Sequence, residues 1–161
     1  MVAPDRTHGS RPALTPRQKA LRALARREYS RAELARKLGG GGESAAETEA
    51  LLDEFEASGW LSDERFAGGA ARQRQGRYSQ RYILEDLKAK GVAGDTAKEA
   101  VSALEQDDYA TALALWRQRF GKAPADQKEK ARQVRFLQSR GFALQIVFKV
   151  LREHGVAADD E

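Results

Sequence analysis

Cysteine is absent from the 161 residues, which removes disulfides, thiolate nucleophiles and cysteine-based zinc sites together. Histidine occurs only twice, too seldom for a metal centre built on imidazole. No stretch approaches the roughly 20 consecutive apolar residues that a membrane-crossing helix needs. Residues 1–13, with their Pro, Gly, Ser and Arg, lack the apolar centre of a signal peptide. Alternating β-branched runs are missing as well, so no sheet is expected. These absences lead to the expectation of an all-α, soluble, cytoplasmic protein with no metal or cofactor and no membrane partner.

Charge is what the chain has in abundance: 28 Lys and Arg against 24 Asp and Glu, a net +4. Its distribution is blocked. Residues 14–38 carry +6, 43–64 carry −8, 65–90 carry +5, 91–109 carry −4 and 113–140 carry +6. Alternation of this kind prompts a search for an internal repeat. Leu38, Leu87 and Leu137 are 49 and 50 residues apart, and a glycine follows each by four residues: Gly42, Gly91 and Gly141. Fourteen residues beyond each leucine stands Leu52, Val101 or Leu151. Tyr29-Ser30 is echoed by Tyr78-Ser79, with Asp126 as a displaced counterpart in the third unit.

Within each unit apolar residues recur at helical spacing. The first unit offers Leu21, Leu24 and Ala25, then Leu34 and Leu38, then Leu51, Leu52 and Phe55. Phe66 and Ala70, then Ile83, Leu84 and Leu87, then Ala97, Val101 and Leu104 follow in the second. The third has Leu113, Trp116 and Phe120, then Val134 and Leu137, then Ile146, Val147, Val150 and Leu151. The pattern predicts nine helices in an elongated array of three tandem three-helix repeats: 14–61, 62–107 and 108–155, between a disordered arm (1–13) and an acidic tail (156–161). Ser30 with Glu33, Ser44 with Glu47 and Asp126 with Glu129 have capping-box spacing. Gly59, Gly91, Gly121, Gly141 and Gly155 are placed to end helices in the left-handed conformation. A unit of about 50 residues is small for independent stability, so stacking is expected to supply part of each core.

No catalytic constellation emerges. Asp63 and Glu64 follow Ser62 and suit the first turn of a helix. Asp53, Glu54 and Glu56 are expected to point in different directions around theirs. Gly39 to Gly42 has no Gly-Lys-Ser/Thr after it and no strand before it, so it reads as a linker and not as a phosphate cradle. Trp60, Trp116, Phe136, Phe142 and Phe148 register with the apolar stripes and are expected in the core, while Tyr78 and Tyr82 alternate with Arg77 and Arg81 in a way that suits either a surface contact or packing.

The run SRAELARKL (30–38), the segment GWLSDERFA (59–67) and Arg140-Gly141-Phe142 together resemble the RecX family, over nearly everything from about Arg17 to Gly155. The resemblance implies three repeats of three helices and a non-enzymatic regulator. It also implies that the partner is the RecA filament on single-stranded DNA, bound along its groove so that recombinase and ATPase activity are inhibited in homologous recombination and DNA repair. Two departures stand out: Gly41 replaces the basic residue kept at Lys90 and Arg140, and Gly68 and Gly69 fall inside the fourth helix, at about 1 kcal/mol each relative to alanine unless they permit close packing.

Recurring basic blocks would align into a stripe if like units stack in register. Arg72, Arg74, Arg77, Tyr78, Arg81, Tyr82, Lys88 and Lys90, with Lys128, Arg132, Arg135 and Arg140, are the candidate contacts with filament or DNA. Solubilising surface is the plain alternative for any one block. The functional alternative is a sequence-independent DNA-binding module without a RecA partner. Direct DNA contact is compatible with either, and a monomer is expected.

Overall fold

The computed structural model describes residues 11–39 and 44–155, among which there are nine α-helices and no strand. The first unit contains α1 (Pro16–Arg26), α2 (Arg31–Leu38) and α3 (Ala45–Ala57). The second contains α4 (Asp63–Arg74), α5 (Gln80–Ala89) and α6 (Gly94–Ser102), and the third α7 (Asp108–Arg119), α8 (Gln127–Ser139) and α9 (Leu144–His154). Residues 1–10, 40–43 and 156–161, and with them most of the N-terminal arm, Gly42 and the acidic tail, lie outside the described residues.

Side-chain caps set most of the helix starts. Thr15 and Gln18 form a full capping box at α1, and Ser30 with Glu33 forms another at α2. Ser44 and Asp126 accept from the amides of Glu47 and Glu129, but the acid in each case makes no return bond to the cap amide. Ser62, Ser79 and Asp107 cap α4, α5 and α7. Gly59, Gly91, Gly121 and Gly141 have positive φ, as helix-ending glycines should. Gly155 does not: its φ is −99°, and α9 ends without a left-handed residue.

Leu38, Leu87 and Leu137 occupy equivalent, fully buried places near the ends of α2, α5 and α8. Their partners Leu52, Val101 and Leu151 are buried on the third helix of each unit. The buried apolar residues separate into three clusters, one per unit, and every extensive helix–helix contact lies within a unit. Stacking therefore adds little to the cores, contrary to the expectation from unit size. The first helix of each unit buries small residues, Ala20 and Ala23 in α1, Ala67, Ala70 and Ala71 in α4, and Ala112 beside Trp116 in α7; in the second unit the three alanines let both α5 and α6 approach α4. This also corrects the reading of α1, where Leu21 is 37% exposed and Ala25 exposed, while the two alanines face inward.

The units join by polar and backbone contacts instead. The Ser30 hydroxyl donates to the carbonyl of Lys90 at 2.6 Å, and the Ser79 amide donates to the carbonyl of Arg140 at 2.9 Å. A Cβ on Gly91 would stand 2.3 Å from the Cβ of Ala32, and one on Gly141 would stand 2.6 Å from the Cβ of Tyr82. The start of α2 thus docks on the end of α5, and the start of α5 on the end of α8. Glycine is required twice over at both seams, by the positive φ and by the close approach. A second repeated bond braces each seam: the amide of Arg31 donates to Asp63 at 2.7 Å and that of Gln80 to Asp108 at 3.1 Å. Asp63 accordingly serves the start of α2 as well as its own helix.

Candidate partner-binding face

At the second seam the start of α5 and the end of α8 bring aromatic and basic side chains together. Tyr78 and Tyr82 stack with centroids 4.2 Å apart and planes 11° from parallel. The Arg140 guanidinium lies 5.0 Å from the Tyr78 centroid and 5.4 Å from that of Phe136. Arg119 sits 4.7 Å from Phe136, whose ring meets Phe120 edge-on at 5.6 Å, and Arg132 lies 6.0 Å from Phe120. Tyr82, Tyr78, Arg140, Phe136, Arg119, Phe120 and Arg132 therefore form one ladder spanning two units. Each cation–π contact contributes about 0.5–1 kcal/mol at exposed sites, so the ladder biases the rotamers of these side chains and adds little to the stability of the fold.

The remaining candidates divide by their partners. Arg74 and Lys90 both reach Asp86 at 3.1 Å, and Lys88 reaches Glu85 at 3.7 Å, so these three have local carboxylates. Arg72 folds back over Gly68, its nearest guanidinium nitrogen 3.2 Å from where a Cβ would stand. Arg77, Arg81, Lys128, Arg132 and Arg135 are exposed and have no ion pair among the described residues. Arg81 also lines a groove of about 470 Å³ between the second and third units, with Tyr82, Glu85, Gln138, Leu144 and Ile146. Arg74 ends α4, a turn through Gly76 follows, and Arg81 belongs to α5.

Several side chains depart from expectation. Trp60 is 51% exposed, touching Phe55 only at 5.5 Å in a tilted arrangement, and Phe148 is exposed beside Leu144 on α9. Both lie on faces that the three-helix packing leaves outward, whereas Trp116 and Phe142 are buried and Phe136 half-buried. The α3 acids do not simply diverge: Asp53 and Glu56, with Glu49, converge on Arg31. Partial burial by itself would lower the pKa of Arg31, but hydrogen bonds to Glu56, Asp53 and Glu49 outweigh it and hold the guanidinium above its ordinary value. The three acids lie at helical steps of four and three, which is the signal that could have revealed the cluster. Gly68 and Gly69 permit no close helix contact, since only the Arg72 side chain approaches them. Arg119 is the ladder member the sequence reading missed; its position beside Phe120, with Phe136 and Arg140 four residues apart, was the available cue.

Among the described residues no cluster of His, Asp and Glu could hold a metal ion, and no helix is long and apolar enough to cross a membrane. His154 lies 3.0 Å from the Tyr109 hydroxyl, which also donates to Glu153. The hydrogen bond to Glu153, with burial second, raises the Tyr109 pKa.

Comparison with known protein families decides what this array is. Models of the first, second and third three-helix domains of RecX match residues 17–55, 62–101 and 105–151. The chain belongs to the RecX family. A regulatory protein RecX of Leptothrix cholodnii is 45% identical over 143 residues, covering 89% of this chain and 91% of its own. One from Ralstonia nicotianae is 41% identical over 150 residues, covering 93% and 94%. The crystal structure of RecX from Lactobacillus salivarius aligns with a TM-score of 0.68 at 17% identity over 86% of this chain and 93% of that one, which shows the shared RecX fold.

Proposed function

We propose that this RecX-family chain is a non-catalytic regulator that lies in the groove of the RecA filament on single-stranded DNA and inhibits RecA ATP hydrolysis and strand exchange. The observation that carries the reading is the ladder from Tyr82 to Arg132, which places cations and rings together across a seam between units, beside exposed Arg77 and Arg81. An array of three units can touch neighbouring filament subunits at once, and a rigid arginine fork on an aromatic face suits carboxylates or phosphates on both. Inhibition then follows from occupying the space that incoming duplex needs and from holding adjacent subunits in a geometry that disfavours growth.

Pull-down with RecA, with and without single-stranded DNA and a nucleotide analogue, tests the proposal. Capture that requires filament-forming conditions is the expected result. Capture of naked DNA alone, with an affinity falling steeply as salt rises and no retention of RecA, favours the sequence-independent DNA-binding module.

A further inference from the structure

The first unit has a second basic surface, separate from the ladder. A cleft of about 360 Å³ between α1 and α2 is lined by Lys19, Arg22, Arg26 and Lys37, with Leu14, Ala23 and Tyr29 as its apolar part. Lys19, Arg22 and Arg26 follow one another at steps of three and four, so they share one face of α1, and Lys37 faces them from α2. Among the described residues no acidic side chain lines the cleft and none of these four cations has an ion pair. Three of them are exposed, and four like charges around one concavity repel one another unless an anion enters. The nearby carboxylates Glu28 and Glu33 are engaged elsewhere, with Arg65 and Arg27.

We infer that this cleft binds the sugar–phosphate backbone of single-stranded DNA, without reading its bases. Guanidinium and ammonium groups match phosphate oxygens, and several spaced cations match a ligand whose charge repeats along its length. One face of the Tyr29 ring is occupied by Arg27, 3.6 Å from its centroid, and Lys37 lies 5.7 Å from it. With one face of that ring occupied, backbone contact is favoured over base stacking, and four cations with no acid among them match the repeating charge of a phosphate backbone. This site stands independently of the RecA reading, since it requires only naked DNA.

The experiment measures binding of the full chain to a fluorescein-labelled thymidine 30-mer and to a mixed-sequence 30-mer over a salt series. The triple variant Arg22→Gln, Arg26→Gln, Lys37→Gln should weaken binding about tenfold or more at low salt and reduce the slope of log affinity against log salt by about 2, for three lost phosphate contacts on a single strand. Both oligonucleotides should respond alike. Because the replaced side chains are exposed, an unchanged melting temperature is expected; the milder Arg22→Lys, Arg26→Lys variant, which keeps the charge, should retain the slope. An unchanged slope in the triple variant overturns the inference. So does an equal loss from replacing Lys98 and Arg152, exposed cations outside both basic faces, which would mean diffuse attraction, or competition by poly-glutamate as effective as competition by oligonucleotide at equal charge, which would mean an acidic protein site. Inhibition of RecA ATPase by the Arg77→Glu, Arg81→Glu variant is scored separately, so failure of the filament reading leaves this result intact.

Discussion

The Ser30 hydroxyl joins two units through the Lys90 carbonyl, 60 residues along the chain, while also accepting from the Glu33 amide to start its own helix. One fully buried side chain thus performs two structural tasks. Ser30→Ala should cost about 2–3 kcal/mol, the sum of a lost cap near 1 kcal/mol and a buried carbonyl left without its donor. Ser44→Ala, at an exposed cap with no second partner among the described residues, should cost about 0.5–1 kcal/mol. Equal losses in urea melts would show that the bond to Lys90 contributes nothing.

Gly91 and Gly59 separate backbone strain from the seam. Both have φ near +80°, but a Cβ at Gly59 meets nothing within 4 Å, whereas one at Gly91 collides with Ala32. Gly59→Ala should therefore cost about 1–2 kcal/mol from left-handed strain alone. Gly91→Ala should cost more and loosen the first unit from the second, read as faster amide exchange at Arg31 and Ala32. Matching losses with undisturbed exchange would mean that the approach to Ala32 is relieved without consequence.

Gln133 takes the place in α8 that Leu34 and Ile83 hold in the other units. It is fully buried, accepts from Trp116 Nε1 at 2.9 Å and donates to the Lys122 carbonyl at 3.2 Å. Trp116→Phe strands the acceptor and should cost about 2–4 kcal/mol, combining lost ring volume with an unsatisfied amide. In Trp116→Phe, Gln133→Leu the second change should recover about 1 kcal/mol or more of that loss, because it removes the orphaned group. Additive losses in the double-mutant cycle would deny the coupling.

Arg77→Glu with Arg81→Glu should abolish inhibition of RecA-driven ATP hydrolysis and strand exchange, while helical content and melting temperature change little, since neither residue has an ion pair among the described residues. Reversal of Arg6 and Arg11, which precede the first helix, is the control. An inhibitory titration that overlays the unmodified protein refutes the role of this face; equal loss from both pairs points to diffuse attraction.

Much of the fold was legible because the repeat is written in residue types that only one environment accepts. Leucine at 38, 87 and 137 marks a buried turn, and the glycine at 91 and 141 marks a positive φ. The α1 face was misread because hydropathy ranks Leu21 above Ala20 and Ala23, yet close helix approach favours the smaller side chain. The site was less legible for a related reason. Basic composition shows where cations are, but which ones retain a free charge depends on acids brought near by folding. Asp86 reaches both Arg74 and Lys90, and no periodicity in α4 announces that. The ladder likewise joins Tyr78 to Arg140 across a seam, beyond the reach of any local spacing rule.

Separate cores joined at narrow seams have a mechanical consequence. Bending the array about Ser30–Lys90 or Ser79–Arg140 exposes little apolar area, so it meets only the resistance of a few hydrogen bonds and ring contacts. The seams, not the cores, are therefore where the array is expected to bend first, and faster amide exchange at Arg31 and Gln80 than in the three cores is the corresponding signature. With three separate cores, a substitution that unfolds one unit is expected to reach its neighbour only through the bonds of the seam.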